Sequence, residues 1–315
     1  MKTKTLSTTW PWEENLSVAD VIKHAKKLKC RDLCIRAVVG SRPYGLDDVT
    51  RNKWGGKTHQ DLEREAKDAG LTLSIWCVFT LQNPPAEAAA IRDAVNLYRP
   101  TAVFLDAEGG AFKQNAPNNL GYFLRSLGRL PCPVYLQSYR LASAHREMLW
   151  QKWYTYKDEQ TGAFIIDGLA HQLYPIKAVT VAEWVRQFKR DVQSHEKELQ
   201  LAARPNMPWY PTLPTFVGGA FENAVGWKPP ADAFKAALDW LEENLGERLI
   251  GVNFWSLDQD LIALPELHPI IAALKVTGGD EDAAGEPPAV SLAEWARALD
   301  EWARAQGYTG PRPPA

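Results

Sequence analysis

The sequence predicts an α/β protein whose main body is a TIM-type (β/α)8 barrel, followed by a short C-terminal helical extension. Eight apolar runs alternate with segments of helical period between residues 6 and 274. The runs are continuously apolar, as buried parallel strands require. A 45% hydrophobic content in 315 residues is enough for a large core. A doubly wound open sheet is the alternative, but the first strand-to-helix connection lacks the Gly-x-Gly-x-x-Gly turn of a dinucleotide site.

The eight strands are predicted from apolar content and from the turn residues that bound each run. They are Leu6 to Trp12, Asp32 to Val39, Leu71 to Thr80, Val103 to Leu105, Val134 to Tyr139, Gly168 to Tyr174, Met207 to Phe216 and Leu249 to Leu257. The seventh is the least regular, because Pro208, Pro211 and Pro214 lack the main-chain N–H that a sheet ladder needs.

Helices are predicted where apolar residues recur at intervals of three and four after each strand. The first helix begins near Ser17, and the second ends at Gly70. The next three extend from Pro85 to about Leu97, from about Asn118 to Leu127 and around Ala142 to Trp153. The sixth carries the apolar stripe Val181, Trp184, Val185, Phe188 and Val192, the seventh carries the stripe from Phe234 to Leu245, and the eighth extends from about Pro265 to Leu274.

The composition changes after the eighth unit. Residues 277–289 are rich in acidic residues, glycine and proline, which is typical of a linker. Ser291 and Glu294 then form the capping box of one more helix, which carries Trp295 and Trp302 on its apolar face. We therefore divide the chain into a barrel, 1–276, a linker, 277–289, and a C-terminal helix and tail, 290–315.

Charge and residue usage argue against several classes of function. A net charge of −2 gives no basic field for nucleic acid, and no apolar run is long enough to insert into a membrane. The four cysteines and six histidines have no metal-ligand spacing, so neither a metal nor another cofactor is expected. The first residues lack the apolar segment of a signal peptide, so we expect cytoplasmic synthesis, with possible release to act on a cell wall. The oligomeric state is left open.

Two carboxylates, Asp106 and Glu108, directly follow the fourth strand. Their spacing of two makes them point the same way if the strand continues, and Gly109 and Gly110 then allow the chain to turn. Mutual repulsion and burial raise the pKa of one member of such a pair, which is how acid-base catalysis operates near neutral pH. We expect Arg36 to form an ion pair with Asp106 and keep it ionised, which leaves Glu108 as the protonated acid. The structural alternative is a strand-end cap beside an acidic loop residue.

Catalytic groups of TIM barrels lie at the carboxyl ends of the strands, which yields a set of predicted substrate-binding residues. They are Trp10, Trp12, Arg36, Trp76, Gln137, Tyr139, Gln172, Tyr174, Trp209, Asn253, Trp255 and Asp258. Indole rings suit the faces of sugars. Gln172 and Tyr174 fit equally well as partners of main-chain groups at the barrel rim, and Trp255 fits equally well as a core residue. No Gly-x-Ser-x-Gly elbow is present, so carboxylate chemistry is favoured over a serine nucleophile.

These residues resemble two families of barrel glycoside hydrolases. The Asp106-Ala107-Glu108 pair, the run Ile35 to Gly40 and the order of Leu71 to Trp76 before Phe104 resemble the lysozyme-like family 25 muramidases. The same acidic triplet, Gln172-Leu-Tyr174 and Gly251 to Asp258 resemble the family 18 chitinase-like enzymes. The chain departs from family 25 in having Thr8, Thr9 and Trp10 where that family carries an aspartate, and it lacks the earlier acidic residues of family 18.

The resemblance implies a glycosidase that cleaves an N-acetylated amino-sugar polymer, with peptidoglycan as the first candidate and an endolysin-like action on the cell wall. Glu108 would protonate the leaving oxygen. Asp106 would act as nucleophile, as base, or as a brace for the acetamido group of the substrate. A glycan-binding or cell-wall-binding barrel without catalysis is the alternative.

Overall fold

The computed structural model describes residues 3–8, 16–44, 57–218, 225–256 and 264–275. These residues all belong to one compact unit, Met1–Gly278. The predictions for Trp10, Trp12 and Asp258, for the linker 277–289 and for the helix and tail 290–315 lie outside the described residues.

Eight parallel strands form a curled sheet and confirm the predicted barrel. They are β1 (Thr3–Thr8), β2 (Asp32–Val39), β3 (Thr72–Val78), β4 (Val103–Asp106), β5 (Val134–Gln137), β6 (Gly168–Leu169), β7 (Thr212–Pro214) and β8 (Gly251–Trp255). Each strand pairs with its neighbour in the chain from β1 to β6, and β8 pairs with both β7 and β1. The two edges meet through parallel bridges from Leu169 to Trp209 and from Gln172 to Thr212. A two-residue strand, Arg42–Pro43, folds back and pairs antiparallel with the end of β2.

Eight helices in the described part follow the strands in alternation. They are α1 (Val18–Lys27), α2 (His59–Asp68), α3 (Pro84–Tyr98), α4 (Gly109–Leu127), α5 (Trp150–Thr155), α6 (Val181–Leu201), α7 (Ala231–Leu245) and α8 (His268–Ala273). Capping boxes start α1, α2 and α6, since in each a Ser or Thr hydroxyl and an acidic side chain three residues later exchange hydrogen bonds with main-chain N–H groups. None of these helices is long and apolar enough to cross a membrane.

Several predicted boundaries are wrong for identifiable reasons. Helix α4 begins at Gly109, whereas the predicted start was near Asn118. The first turns were missed because Pro117, inside the helix, interrupts the apolar period in the sequence. The helix predicted from Ala142 to Trp153 is two 3₁₀ turns followed by the short α5. Regular pairing in β6 and β7 is shorter than predicted, and isolated bridges take its place.

The strands separate two apolar regions. Residues that point outward pack against the helices and form the larger core. Residues that point inward form a second cluster, in which Phe104 lies 5.4 Å from Tyr135 and 5.3 Å from Tyr210 between ring centroids. Below this aromatic layer the buried Asp32 carboxylate accepts hydrogen bonds from the hydroxyls of Thr5 and Thr72. Among the described residues, this part of the barrel interior is therefore filled by side chains.

Candidate active site

The end of β4 delivers two carboxyl groups to one place. Asp106 is the last residue of the strand, and the chain stays paired to β5 beyond it, since the Ala107 N–H donates to the Gln137 carbonyl at 2.9 Å. Glu108 is still extended, with φ −151° and ψ 179°, so its side chain points the same way as that of Asp106. Gly109 then turns the chain with a φ of +87°, a conformation that favours glycine. The predicted geometry of the pair is confirmed.

Burial sets the protonation of this pair. Asp106 is 2% exposed, whereas Glu108 is only partly buried. Glu108 follows the end of β4 and so lies at the barrel mouth, the end of the barrel where the carboxyl ends of the strands meet. Burial, and then repulsion by Glu108, raises the pKa of Asp106 well above its ordinary value. Burial also raises the pKa of Glu108, against the attractions of Gln172 and Lys113. The direction of this shift opposes the expectation that Asp106 stays ionised, because burial and Glu108 favour its protonated form and Arg36 offsets them only in part.

Arg36 acts on the pair from a distance. The predicted ion pair between Arg36 and Asp106 is absent from the described residues, because β3 separates the two strands that carry them. The Arg36 guanidinium carbon lies 4.0 Å from the centroid of the Tyr44 ring and 5.4 Å from that of Trp76. Its charge still lowers the pKa of Asp106, as the last of several opposing influences.

A single amide serves both carboxyls. The Gln172 Nε2 donates to Asp106 Oδ1 at 3.3 Å, and hydrogen bonding to the same amide lowers the pKa of Glu108. Gln172 lies at the seam of the barrel, where it bridges to Thr212 of β7. The two carboxyl groups are therefore neighbours on one side of the mouth.

Three buried donors around the pair have no hydrogen-bond partner among the described residues. They are the Trp76 indole N–H, the Gln137 side-chain Nε2 and the Tyr174 hydroxyl. Gln137 pairs with Asp106 in the β4–β5 register, and the Trp76 indole lowers the pKa of Asp106 without reaching hydrogen-bonding geometry. Burial and the two carboxylates raise the pKa of Tyr174. Since buried polar groups are almost always paired with protein, water or ligand atoms, these three groups are available to hydrogen-bond a polar molecule at this site.

Aromatic rings shape the mouth around these donors. Trp255, at the end of β8, is partly exposed and meets Trp76 edge to face, with centroids 4.7 Å apart. Tyr174 meets Phe216 in the same manner at 5.5 Å. Trp255 thus keeps part of its indole exposed next to Trp76, and its contact with a sugar ring stays a prediction.

Two predicted binding residues do not lie at the mouth. Trp209 is fully buried at the amino-terminal end of β7, and its indole N–H donates to Glu196 Oε1 at 2.8 Å. Asn253 is 1% exposed, two residues deeper in β8 than Trp255, and its Nδ2 donates to Thr212 Oγ1 at 3.3 Å. Both contribute to the barrel itself, because a strand end in the sequence does not specify depth in the barrel.

Tyr139 lies at the rim, but other residues of the protein already contact its ring and its hydroxyl. Its ring stacks on His145 with centroids 3.8 Å apart, and the Lys113 ammonium lies 4.2 Å from its ring centroid. Its hydroxyl accepts a hydrogen bond from the Gly109 N–H at 2.7 Å. These contacts leave the ring poorly suited to stack on a substrate, contrary to the prediction.

Lys113 and His145 contact Tyr139 at the rim but are not among the site residues predicted from the sequence. Lys113 lies in α4, forms an ion pair with Glu147 at 3.1 Å and lowers the pKa of Glu108. The correct start of α4 would have placed Lys113 one helical turn beyond the acidic pair. In the described ranges, no group of three or more His, Cys, Asp or Glu side chains could hold a metal ion.

Comparison with known proteins supports the fold. No family model and no curated protein matches the chain. Among solved structures it is similar to the C-terminal domain of a putative chitinase from Desulfitobacterium hafniense, with a TM-score of 0.54 and 12% identity over 86% of this chain and 98% of that one. A GH18 chitinase from Pseudoalteromonas aurantia gives 0.53 and 11% over 85% and 100%. The catalytic domain of a hyperthermophilic chitinase from Pyrococcus furiosus gives 0.52 and 15% over 82% and 86%. The similarity is one of fold.

Proposed function

We propose that this protein is a glycoside hydrolase that cleaves a polymer of N-acetylated amino sugars, with Glu108 as the proton donor. The observation that carries the proposal is the Asp106–Glu108 pair, joined by the Gln172 amide at the barrel mouth. The unpartnered donors and the Trp255 indole surround it, which suits a ligand that is rich in hydroxyl and amide groups. Similar barrels are described as chitinases, which agrees with this substrate class.

Glu108 is the better proton donor of the two. It is the more exposed carboxyl, so a glycosidic oxygen can reach it, and its raised pKa favours the protonated form that an acid needs. Asp106 lies deeper and is covered by Gln172. We assign it the role of holding the substrate.

The shared strand bears on how the sugar is attacked. Two carboxyls that act as acid and nucleophile flank the scissile bond, roughly 5 Å or more apart on facing sides of the sugar. Asp106 and Glu108 instead share one amide on one side of the mouth. We therefore propose that the nucleophile is the acetamido oxygen of the substrate, and that Asp106 braces the acetamido N–H, the third of the roles predicted for it.

The proposed reaction has two steps. The Glu108 proton passes to the leaving oxygen as the bond from C1 to that oxygen breaks, and the acetamido oxygen bonds to C1. Water then adds to C1, gives one proton to the Glu108 carboxylate and releases the acetamido group. The unpartnered Tyr174 hydroxyl and Gln137 Nε2 are the donors available to orient that group.

Chitin-like oligomers and peptidoglycan are the candidate substrates, since both carry the acetamido group that this reaction requires. The resemblance to muramidases favours peptidoglycan and the similar folds favour chitin. Action on a cell wall after release is proposed only with peptidoglycan as the substrate. A glycan-binding barrel without catalysis stays as the second candidate, because the same aromatic and polar groups suit it.

The test is the release of new reducing ends from chitin oligomers, from purified peptidoglycan and from deacetylated chitin oligomers. Glu108→Gln keeps size and polarity but removes the acid, so turnover falls by ~10²-fold or more while binding of the oligomer survives. Glu247→Gln is the matched control, because Glu247 is exposed in the turn before β8, at the opposite end of the barrel. Cleavage of deacetylated oligomers at the same rate would contradict the role of the acetamido group. Binding without cleavage by the wild type would favour the second candidate.

A further inference from the structure

Glu108 occupies a position where a side chain usually has another task. It is the N-cap residue of α4, yet its carboxyl makes no hydrogen bond to the helix. The first N–H groups of any helix lack partners within it, and the helix dipole attracts a carboxylate to them. Something must therefore satisfy this helix end if the Glu108 carboxyl is to face the mouth.

The Tyr139 hydroxyl provides that contact. It accepts the Gly109 N–H, the first of α4, at 2.7 Å. We propose that Tyr139 is a positioning residue whose hydroxyl caps α4 in place of Glu108 and so leaves the Glu108 carboxyl turned to the mouth. This inference rests on the proposed function, in which Glu108 is the proton donor, and it goes beyond that function by assigning a residue that does not touch the substrate.

The Tyr139 ring is held on the mouth side by two residues. His145 stacks on it with an interplanar angle of 21°, and the Lys113 ammonium lies 4.2 Å from its centroid. Glu147 fixes the ammonium at 3.1 Å. The ring therefore has little freedom to withdraw its hydroxyl from Gly109.

The main chain of Tyr139 is fixed from behind. Its carbonyl accepts a hydrogen bond from His195 Nε2 at 3.0 Å, so this nitrogen carries the proton. The Nδ1 of His195 must then accept from the Tyr154 hydroxyl, which lies 3.1 Å away. Burial lowers the pKa of His195 to about 3, so its imidazole stays neutral, in this tautomer, at pH values well above 3. Both ends of Tyr139 are thus anchored, as a positioning role requires.

Tyr139→Phe removes the hydroxyl and leaves the ring in place. The Gly109 N–H then loses the Tyr139 hydroxyl as its acceptor, and the preceding residue, Glu108, carries a carboxyl group that could replace it. If that carboxylate turns to the helix end, its ionised form is stabilised and the donor is displaced. The other titratable and charged groups around Glu108 are Asp106 of β4, Lys113 of α4, Tyr174 after β6 and the more distant Arg36 of β2. Of these, Lys113 also interacts with the Tyr139 hydroxyl, which together with Glu147 raises the pKa of Lys113 against the effect of burial.

The experiment compares the wild type with Tyr139→Phe, Glu108→Gln and the double variant. Tyr122→Phe is the matched control, since Tyr122 is 62% exposed on the same helix. We expect Tyr139→Phe to lower kcat by about 10-fold or more, with KM little changed. The carboxyl carbon of Glu108, assigned by its absence in Glu108→Gln, should titrate at lower pH in a ¹³C NMR experiment. Tyr122→Phe should change neither.

Thermal melting of the four proteins distinguishes capping from general loosening. In the wild-type background Glu108→Gln should leave the melting temperature unchanged or raise it, because a like charge is removed. In the Tyr139→Phe background it should lower the melting temperature, because Glu108 has become the cap. Equal effects in both backgrounds, or an unchanged Glu108 titration in Tyr139→Phe, would overturn the proposal. If the wild type cleaves no glycan, the proposed function fails, while the titration and the melting temperatures still decide the role of Tyr139.

Discussion

Asp191 allows a sharp test of how buried charge limits the stability of this barrel. It lies on α6 with its side chain fully buried, and Arg140 and Arg190 approach its oxygens at 3.4 and 3.2 Å. Burial nevertheless raises the pKa of Asp191 to about 6, and burial also lowers the pKa of Arg140. Desolvation therefore outweighs the ion pair on both sides, which is common for buried pairs.

The size of the effect follows from the pKa. A rise from 3.8 to about 6, at about 1.4 kcal/mol per unit, corresponds to roughly 3 kcal/mol. The folded state binds the proton more tightly than the unfolded state, so this stability is fully present below pH 3.8 and is lost as the pH rises through 6. Asp191→Asn resembles the protonated acid. It should therefore raise the free energy of unfolding at pH 7 by up to about 3 kcal/mol and change it little near pH 3.5.

Urea unfolding at pH 3.5 and pH 7 measures both quantities. Asp93→Asn, an exposed substitution on α3, is the matched control and should alter neither. Arg140 also donates a hydrogen bond to the Tyr174 carbonyl at 3.3 Å, which connects this ion pair to the candidate site. Asp191→Asn should retain activity if that hydrogen bond is kept. A variant that is less stable than the wild type at pH 7 would refute the reasoning, because the two arginines would then outweigh burial.

Two further substitutions test the site. Tyr174→Phe removes a buried hydroxyl that has no partner among the described residues, so kcat should fall by ~10-fold or more while the melting temperature stays the same or rises. A lower melting temperature with full activity would show that the hydroxyl is structural. Tyr122→Phe is again the control. Trp209→Phe removes the hydrogen bond to Glu196 and should cost about 1–3 kcal/mol of unfolding free energy with an unchanged KM; a raised KM in the folded variant would place Trp209 at the mouth after all.

The sequence predicted the features that depend on local period. Two-residue spacing after an apolar run was enough to place Asp106 and Glu108 side by side, and the count of alternating units was enough for the barrel. Lys113 and His145 were missed because Pro117 and irregular turns conceal the elements that carry them.

Distances across the barrel could not be predicted. Arg36 and Asp106 stand on strands separated by β3, and Trp209 and Asn253 lie below the mouth. Strand tilt and stagger set these depths, and neither is written in the order of residues along one strand. The direction of the Asp106 pKa shift differs from the expectation for the same reason, since burial outweighs the charge of Arg36 at Asp106.

The alternation along β4 has a consequence for misfolded molecules. Phe104 and Asp106 point inward, whereas Leu105 points toward the helices. A slip of one residue against β3 and β5 would exchange these faces, so both carboxyls would enter an apolar layer at a cost of several kcal/mol. A chain with this register shift would therefore be less stable than the native fold by that amount and should be a minor species at equilibrium. If the proposed activity holds, the specific activity of a sample should therefore follow its folded fraction.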